Sequence, residues 1–111
     1  MEITRFAPSP TGHLHLGGAR TALFSYLFAK ANNGKFLLRF EDTDQERSKQ
    51  EFVESIMNSL DWMKIKIDSD PVFQSKNLAK HKKLALELYK KGFAYACDCS
   101  EETLTKMREE Q

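Results

Sequence analysis

The chain has 111 residues, 41% of them hydrophobic and 30% charged, with a formal net charge of +1. That composition is soluble and globular, sized for one domain or part of one, and it excludes a protein that binds nucleic acid through overall positive charge; such a contact has to come from a local patch. Cys97 and Cys99 are spaced too closely for an unstrained disulfide, and no leader or apolar span precedes the motif that begins at Arg5, so a reducing, cytoplasmic setting without a membrane is expected.

The opening "MEITRFA" alternates β-branched or aromatic residues with polar ones and predicts a first strand, which the run Pro8-Ser9-Pro10-Thr11-Gly12 ends. From Gly18, "ARTALFSYLFAKANNG" is apolar almost all round; it predicts a helix buried on most of its faces and stopped by Asn33-Gly34 in a left-handed turn. "KFLLRF" is short enough for a second strand, closed by the acidic "EDTD". Asp44 is the expected N-cap of a second helix with Glu46 in its first turn. Val53, Ile56, Met57 and Leu60 form the core stripe of that helix, Phe52 and Trp62 join the core, and the helix ends near Met63. "KIKIDSDP" predicts a short extended piece and a turn. "SKNLAKHKKLALELYKKG" predicts a third helix with Leu78, His81, Ala85, Leu88 and Tyr89 on its apolar side and Gly92 as its stop. "FAYACDC" reads as a third strand, and Ser100 as the cap of a last helix.

Strands alternating with helices predict an α/β fold with a parallel sheet and helical crossovers. In such sheets ligands bind beyond the carboxyl ends of the strands, where "PSPTGHLHLGG" and "EDTD" both fall. A glycine-bearing loop running into a helix N-terminus offers free N–H groups to an anion, with His13 and His15 as further donors. The alternative is a Pro/Gly loop carrying two surface histidines. Gly12 and Gly17 have P-loop spacing, but Gly18 and Ala19 follow where Lys and Ser/Thr are required, and no Gly-x-Gly-x-x-Gly fingerprint is present. His13-Leu14-His15 lacks a third ligand for a metal. "EDTD" can hold an amine, bind a metal or cap a helix; Glu41, with Arg5 or Arg39 as possible partners, faces either the crevice or a buried cation.

"RFAPSPTGHLHLGGARTALFSYLFAK", "GKFLLRFEDTDQER", "FQS" at 73–75 and "GFAYACDCS" at 92–100 together resemble the amino-terminal part of bacterial-type glutamyl-tRNA synthetases over nearly the whole chain. Pro-Ser-Pro-Thr-Gly favours glutamate over the glutaminyl relatives, and "EDTD" with Arg47 favours this enzyme over glutamyl-queuosine tRNA(Asp) synthetase. The resemblance implies the first half of a Rossmann-like nucleotide-binding domain over residues 1–96, and the start of an acceptor-stem-binding insertion over 97–111. It implies that His15-Leu16-Gly17-Gly18 is the class I signature. His15 is then catalytic; Thr11, Gly12, His15, Gly17 and Gly18 face ATP with its Mg2+; and Arg5, Ser9 and Glu41 hold L-glutamate, which is activated to glutamyl-adenylate and passed to tRNA(Glu). Cys97 and Cys99 fall where relatives begin a zinc site, as half of a ligand set that only a longer parent could complete.

The lysine-rich second signature of the family is not matched, so the chain reads as a fragment that does not aminoacylate alone. The lysines of the third helix (Lys76, Lys80, Lys82, Lys83, Lys90, Lys91) fit either a solvated face or RNA phosphates. The competing hypothesis is a non-catalytic nucleotide- or RNA-binding module.

Overall fold

The computed structural model describes residues 1–110. They run β1 (Ile3–Phe6), α1 (Leu16–Ala31), β2 (Lys35–Phe40), α2 (Gln50–Trp62), β3 (Val72–Phe73), a 3-10 turn (Gln74–Asn77), α3 (Leu78–Lys90) and α4 (Glu101–Glu109). Two compact units divide after Leu78, so the expected boundary at 96/97 lies within the second.

In the first unit all strands are parallel, in the order β1-β2-β3, with Arg5 opposite Leu37, Phe6 opposite Leu38 and Phe40 opposite Phe73. The pleat of β2 sorts its side chains: Phe36, Leu38 and Phe40 are buried, while Leu37 and Arg39 are half-buried on the other side. The buried set joins Ala22 and Ala29 of α1 and Val53, Ile56 and Leu60 of α2 in one core. Each buried large side chain contributes roughly 1.5–3 kcal/mol. Small residues on α1 let the helix approach the sheet, and Phe73 stacks on Phe40 at 5.1 Å, extending the core to β3.

Two close approaches fix where α1 hands over to β2. Asn33 adopts φ 51°, and a Cβ on Gly34 would lie 2.0 Å from the Glu2 carbonyl oxygen, so only glycine fits. Lys30 reaches both Asp68 oxygens at 2.8 Å, and the Phe36 N–H reaches Asp68 Oδ2 at 2.7 Å. The hydrogen bond from Lys30, then that from Phe36, hold the Asp68 carboxyl below its ordinary range.

Several expectations are corrected. The third strand is Val72–Phe73, a two-residue piece too short to show any periodicity in sequence, and the stretch 93–99, expected as a strand, forms none. Only Ala22 and Ala29 of α1 are buried: Phe24 is 67% exposed and Leu27 and Phe28 are exposed beside it, because the sheet covers one side of a helix that is apolar on both. Trp62 is 83% exposed at the end of α2, on the side of the helix turned away from the Val53–Ile56–Leu60 stripe. Asp44 caps a turn, its Oδ1 accepting the Arg47 N–H at 3.1 Å; α2 begins six residues later, with Lys49 at its N-cap position.

In the second unit Gly92, at φ 77°, follows the end of α3 as expected. Ser100 caps α4, accepting the Thr103 N–H at 3.2 Å. His81, expected to pack, is exposed. No helix among the described residues is long and apolar enough to cross a membrane.

Candidate functional site

The loop from β1 to α1 is pinned from below. The Pro8 carbonyl accepts the Glu41 N–H at 2.9 Å and the Pro10 carbonyl accepts the Lys49 N–H at 3.1 Å. Proline supplies no N–H of its own, so these carbonyls are the natural ties to the segment that leaves β2. Pro10 is fully buried, and the loop arches over it.

At the far end of the loop His15 is the N-cap of α1, its Nδ1 accepting the Gly18 N–H at 3.1 Å. With Nδ1 as acceptor, the proton of the neutral ring sits on Nε2, which is left as a donor. A Cβ at Gly17 would come within 3.1 Å of the imidazole, and one at Gly18 within 2.8 Å of Leu14, so both glycines make room for the side chains of the loop. The helix dipole adds positive potential at the same point. His13 turns the other way: its Nδ1 meets Ser55 Oγ at 2.8 Å and its ring stands edge-on to Phe52 at 5.3 Å.

Between loop and helix lies a cleft of about 370 Å³, whose lining includes Ser9, Thr11, Gly12, His15 and Gly18. Five of the residues expected at the site thus converge, and the space around Gly12 is open. Gly17 is exposed at the first turn of α1 and does not line the cleft. Neither do the two expected ends of an amino-acid site. Arg5 is exposed on β1, on the same sheet face as Leu37 and Arg39. Glu41 is half-buried just past β2, and its Oε1 pairs with Arg39 Nη2, so Arg39 and not Arg5 is its partner. A larger open groove of about 780 Å³ runs between α1 and α2 past Leu16, Glu54 and Trp62, and none of the expected site residues line it.

The rest of "EDTD" is structural. Asp42 accepts the Ser75 N–H at 2.8 Å and the Ser75 hydroxyl at 2.5 Å, tying the end of β2 to the turn after β3. Burial pushes the Asp42 carboxyl up, but the bonds from Ser75 and nearby backbone outweigh it and hold the group below the ordinary carboxylate range. Sequence reasoning missed the partnerships of Ser55 and Ser75. Their partners lie 42 and 33 residues away, and no local pattern marks a serine for such a bond.

Cys97 and Cys99 are exposed thiols, and hydrogen bonds from Cys99 hold the Cys97 thiol below its ordinary value. Among the described residues no group of three His, Cys, Asp or Glu could hold a metal, so the donors present do not make a closed zinc site.

The sequence profile described as tRNA synthetases class I (E and Q), catalytic domain, matches residues 3–111. This chain belongs to that family. Among class I synthetases of the E and Q group it is 60% identical over 108 residues to glutamate–tRNA ligase 2 of Ehrlichia chaffeensis, covering 97% of the chain and 23% of the relative. It is 54% identical over 111 residues to the glutamate–tRNA ligase of Francisella tularensis subsp. novicida, covering 24% of that protein. The crystal structure of a glutamate-tRNA synthetase from Elizabethkingia anophelis superposes with a TM-score of 0.85 at 41% identity, over 97% of this chain and 23% of that one. The three parallel strands and their helices therefore match the start of a Rossmann-like synthetase catalytic domain, and the chain spans about a quarter of the length of these relatives.

Proposed function

We propose that this chain supplies the amino-terminal half of the active site of a glutamate–tRNA ligase. The observation that carries the reading is the convergence of Ser9, Thr11, Gly12, His15 and Gly18 on one cleft at the N-terminus of α1, at the carboxyl end of the sheet. The names of the relatives support glutamate as the amino acid and tRNA as the acceptor, in preference to a non-catalytic binding module.

In this reading ATP lies along the cleft with its phosphates toward α1. His15, held by its Nδ1 bond to the Gly18 N–H, turns its Nε2–H outward to stabilise charge that grows on the α-phosphate as the glutamate carboxylate attacks. A new carboxylate–phosphorus bond forms, the bond to pyrophosphate breaks, and pyrophosphate leaves with the electron pair. A hydroxyl of the terminal ribose of tRNA then attacks the acyl carbon of the adenylate; the ester forms, the acyl–phosphate bond breaks, and AMP leaves with the electron pair as the hydroxyl proton is lost. Arg5 suits a substrate carboxylate as a planar bidentate donor, Ser9 hydrogen-bonds the amino acid, and Glu41 receives its ammonium. Magnesium accompanies the nucleotide and neutralises phosphate charge. Cys97 and Cys99 belong to the start of an acceptor-stem-binding segment over 97–111.

A chimera in which this chain replaces the matching segment of the Ehrlichia chaffeensis relative tests the reading. The chimera is expected to glutamylate tRNA, and the chain alone is not. A folded chimera that binds ATP yet fails to charge tRNA would count against the assignment.

A further inference from the structure

We propose that Arg39 is a positioning residue for Glu41, holding its carboxylate where a substrate ammonium can meet it. The inference rests on the reading that Glu41 receives that ammonium.

Glu41 follows the last residue of β2 and is fixed at two points. Its backbone N–H bonds to the Pro8 carbonyl at 2.9 Å, next to Ser9 in the loop that frames the cleft. Its Oε1 accepts from Arg39 Nη2. The pair engages Oε1 alone among the described residues, so a second oxygen is left to an incoming cation. The adjacent Asp42 is clamped on Ser75, which stops the segment from swinging away.

The pair is poorly suited to stabilising the fold. Its side chains are 34% and 35% exposed, so solvent weakens the attraction. Arg39 Nε is buried without a hydrogen-bond partner, an uncompensated cost. A contact that does little for stability yet sets one carboxylate oxygen is better explained by placement. It has an electrostatic effect too. With Glu41 already partnered by Arg39, Arg5 on the same sheet face remains available to a substrate carboxylate.

The test uses the chimera and reads the Michaelis constants for glutamate and ATP, kcat and the melting temperature of Arg39→Ala, Arg39→Lys, Glu41→Gln and the Arg39→Ala/Glu41→Gln double variant. Arg39→Ala is expected to raise the glutamate constant about tenfold, leaving that for ATP and the melting temperature near wild type, and Arg39→Lys to recover part of the loss. In the Glu41→Gln background, removing Arg39 is expected to add less than about twofold, because a residue that acts through Glu41 has nothing left to position. Independent, additive effects overturn the proposal, as does a lower melting temperature with an unchanged glutamate constant. A raised constant in Glu41→Gln with none in Arg39→Ala overturns the role of Arg39 alone. An unchanged constant in Glu41→Gln overturns the assignment of Glu41 and this proposal with it.

Discussion

The segments that leave β1 and β2 start side by side and are used differently. The first, Ala7 to His15, spends its backbone carbonyls on anchoring and turns Ser9, Thr11, Gly12 and the His15 ring toward a cleft. The second, Glu41 to Asp44, is rich in charge, yet every acid in it has a partner: Glu41 on Arg39, Asp42 on Ser75, Asp44 on the Arg47 N–H. A polar cluster in sequence is therefore no guide to which groups are free. The glycine- and proline-rich loop lines the cleft, and Asp42 and Asp44 of the acidic one act as its frame.

If that contrast is right, damage to the first segment strikes the reaction, and damage to Asp42 or Asp44 in the second strikes the fold. The largest effect is expected from His15→Ala in the chimera, which should lower kcat by about 10²–10³, as loss of one transition-state donor does; steady-state charging assays check this, and an unchanged kcat would leave His15 as a helix cap only. Arg5→Ala, on β1 just before that segment, should act next, raising the Michaelis constant for glutamate by roughly tenfold to 150-fold, the worth of a charge-assisted bond, with little change for ATP.

Asp42→Asn probes the frame. The Asp42 pKa is depressed in the fold, so its contribution is present above the unfolded value of about 4 and is lost as pH falls through the folded value. The substitution should cost about 1–2 kcal/mol at neutral pH and flatten the decline of stability in acid, read by thermal unfolding across pH. A charging defect at unchanged stability would break the contrast. The smallest effect belongs to Ser55→Ala. It removes an exposed bond to His13 and should cost about 0.5 kcal/mol in stability, with kcat kept within a few-fold.

Much of this arrangement was legible in the order of residues. Asn33-Gly34 marked the end of α1 because a left-handed turn needs those residue types, and Val53, Ile56 and Leu60 declared the face of α2 through their spacing. The location of the cleft followed from where the Pro/Gly run falls in an α/β order. What could not be read was decided between distant residues. Val72–Phe73 pairs with the end of β2, where Phe73 stacks on Phe40, while "FAYACDC", with better strand composition, forms no strand. Asp44 had the chemistry of a helix cap, but the turn at 45–47 claimed it first. Trp62 has the residue type of a core and the angular position of a surface.

The outer side of α1 has a colloidal consequence. Phe24, Leu27 and Phe28 form an oily strip on a chain whose formal net charge is +1 and whose isoelectric point is about 7.8. Near that pH, molecules meet with almost no electrostatic repulsion, and contact between such strips is then governed by water's preference to release apolar surface. Sulfate, excluded from protein surfaces, strengthens that preference, so the chain should salt out most readily around its isoelectric point and stay dispersed when buffered well to either side.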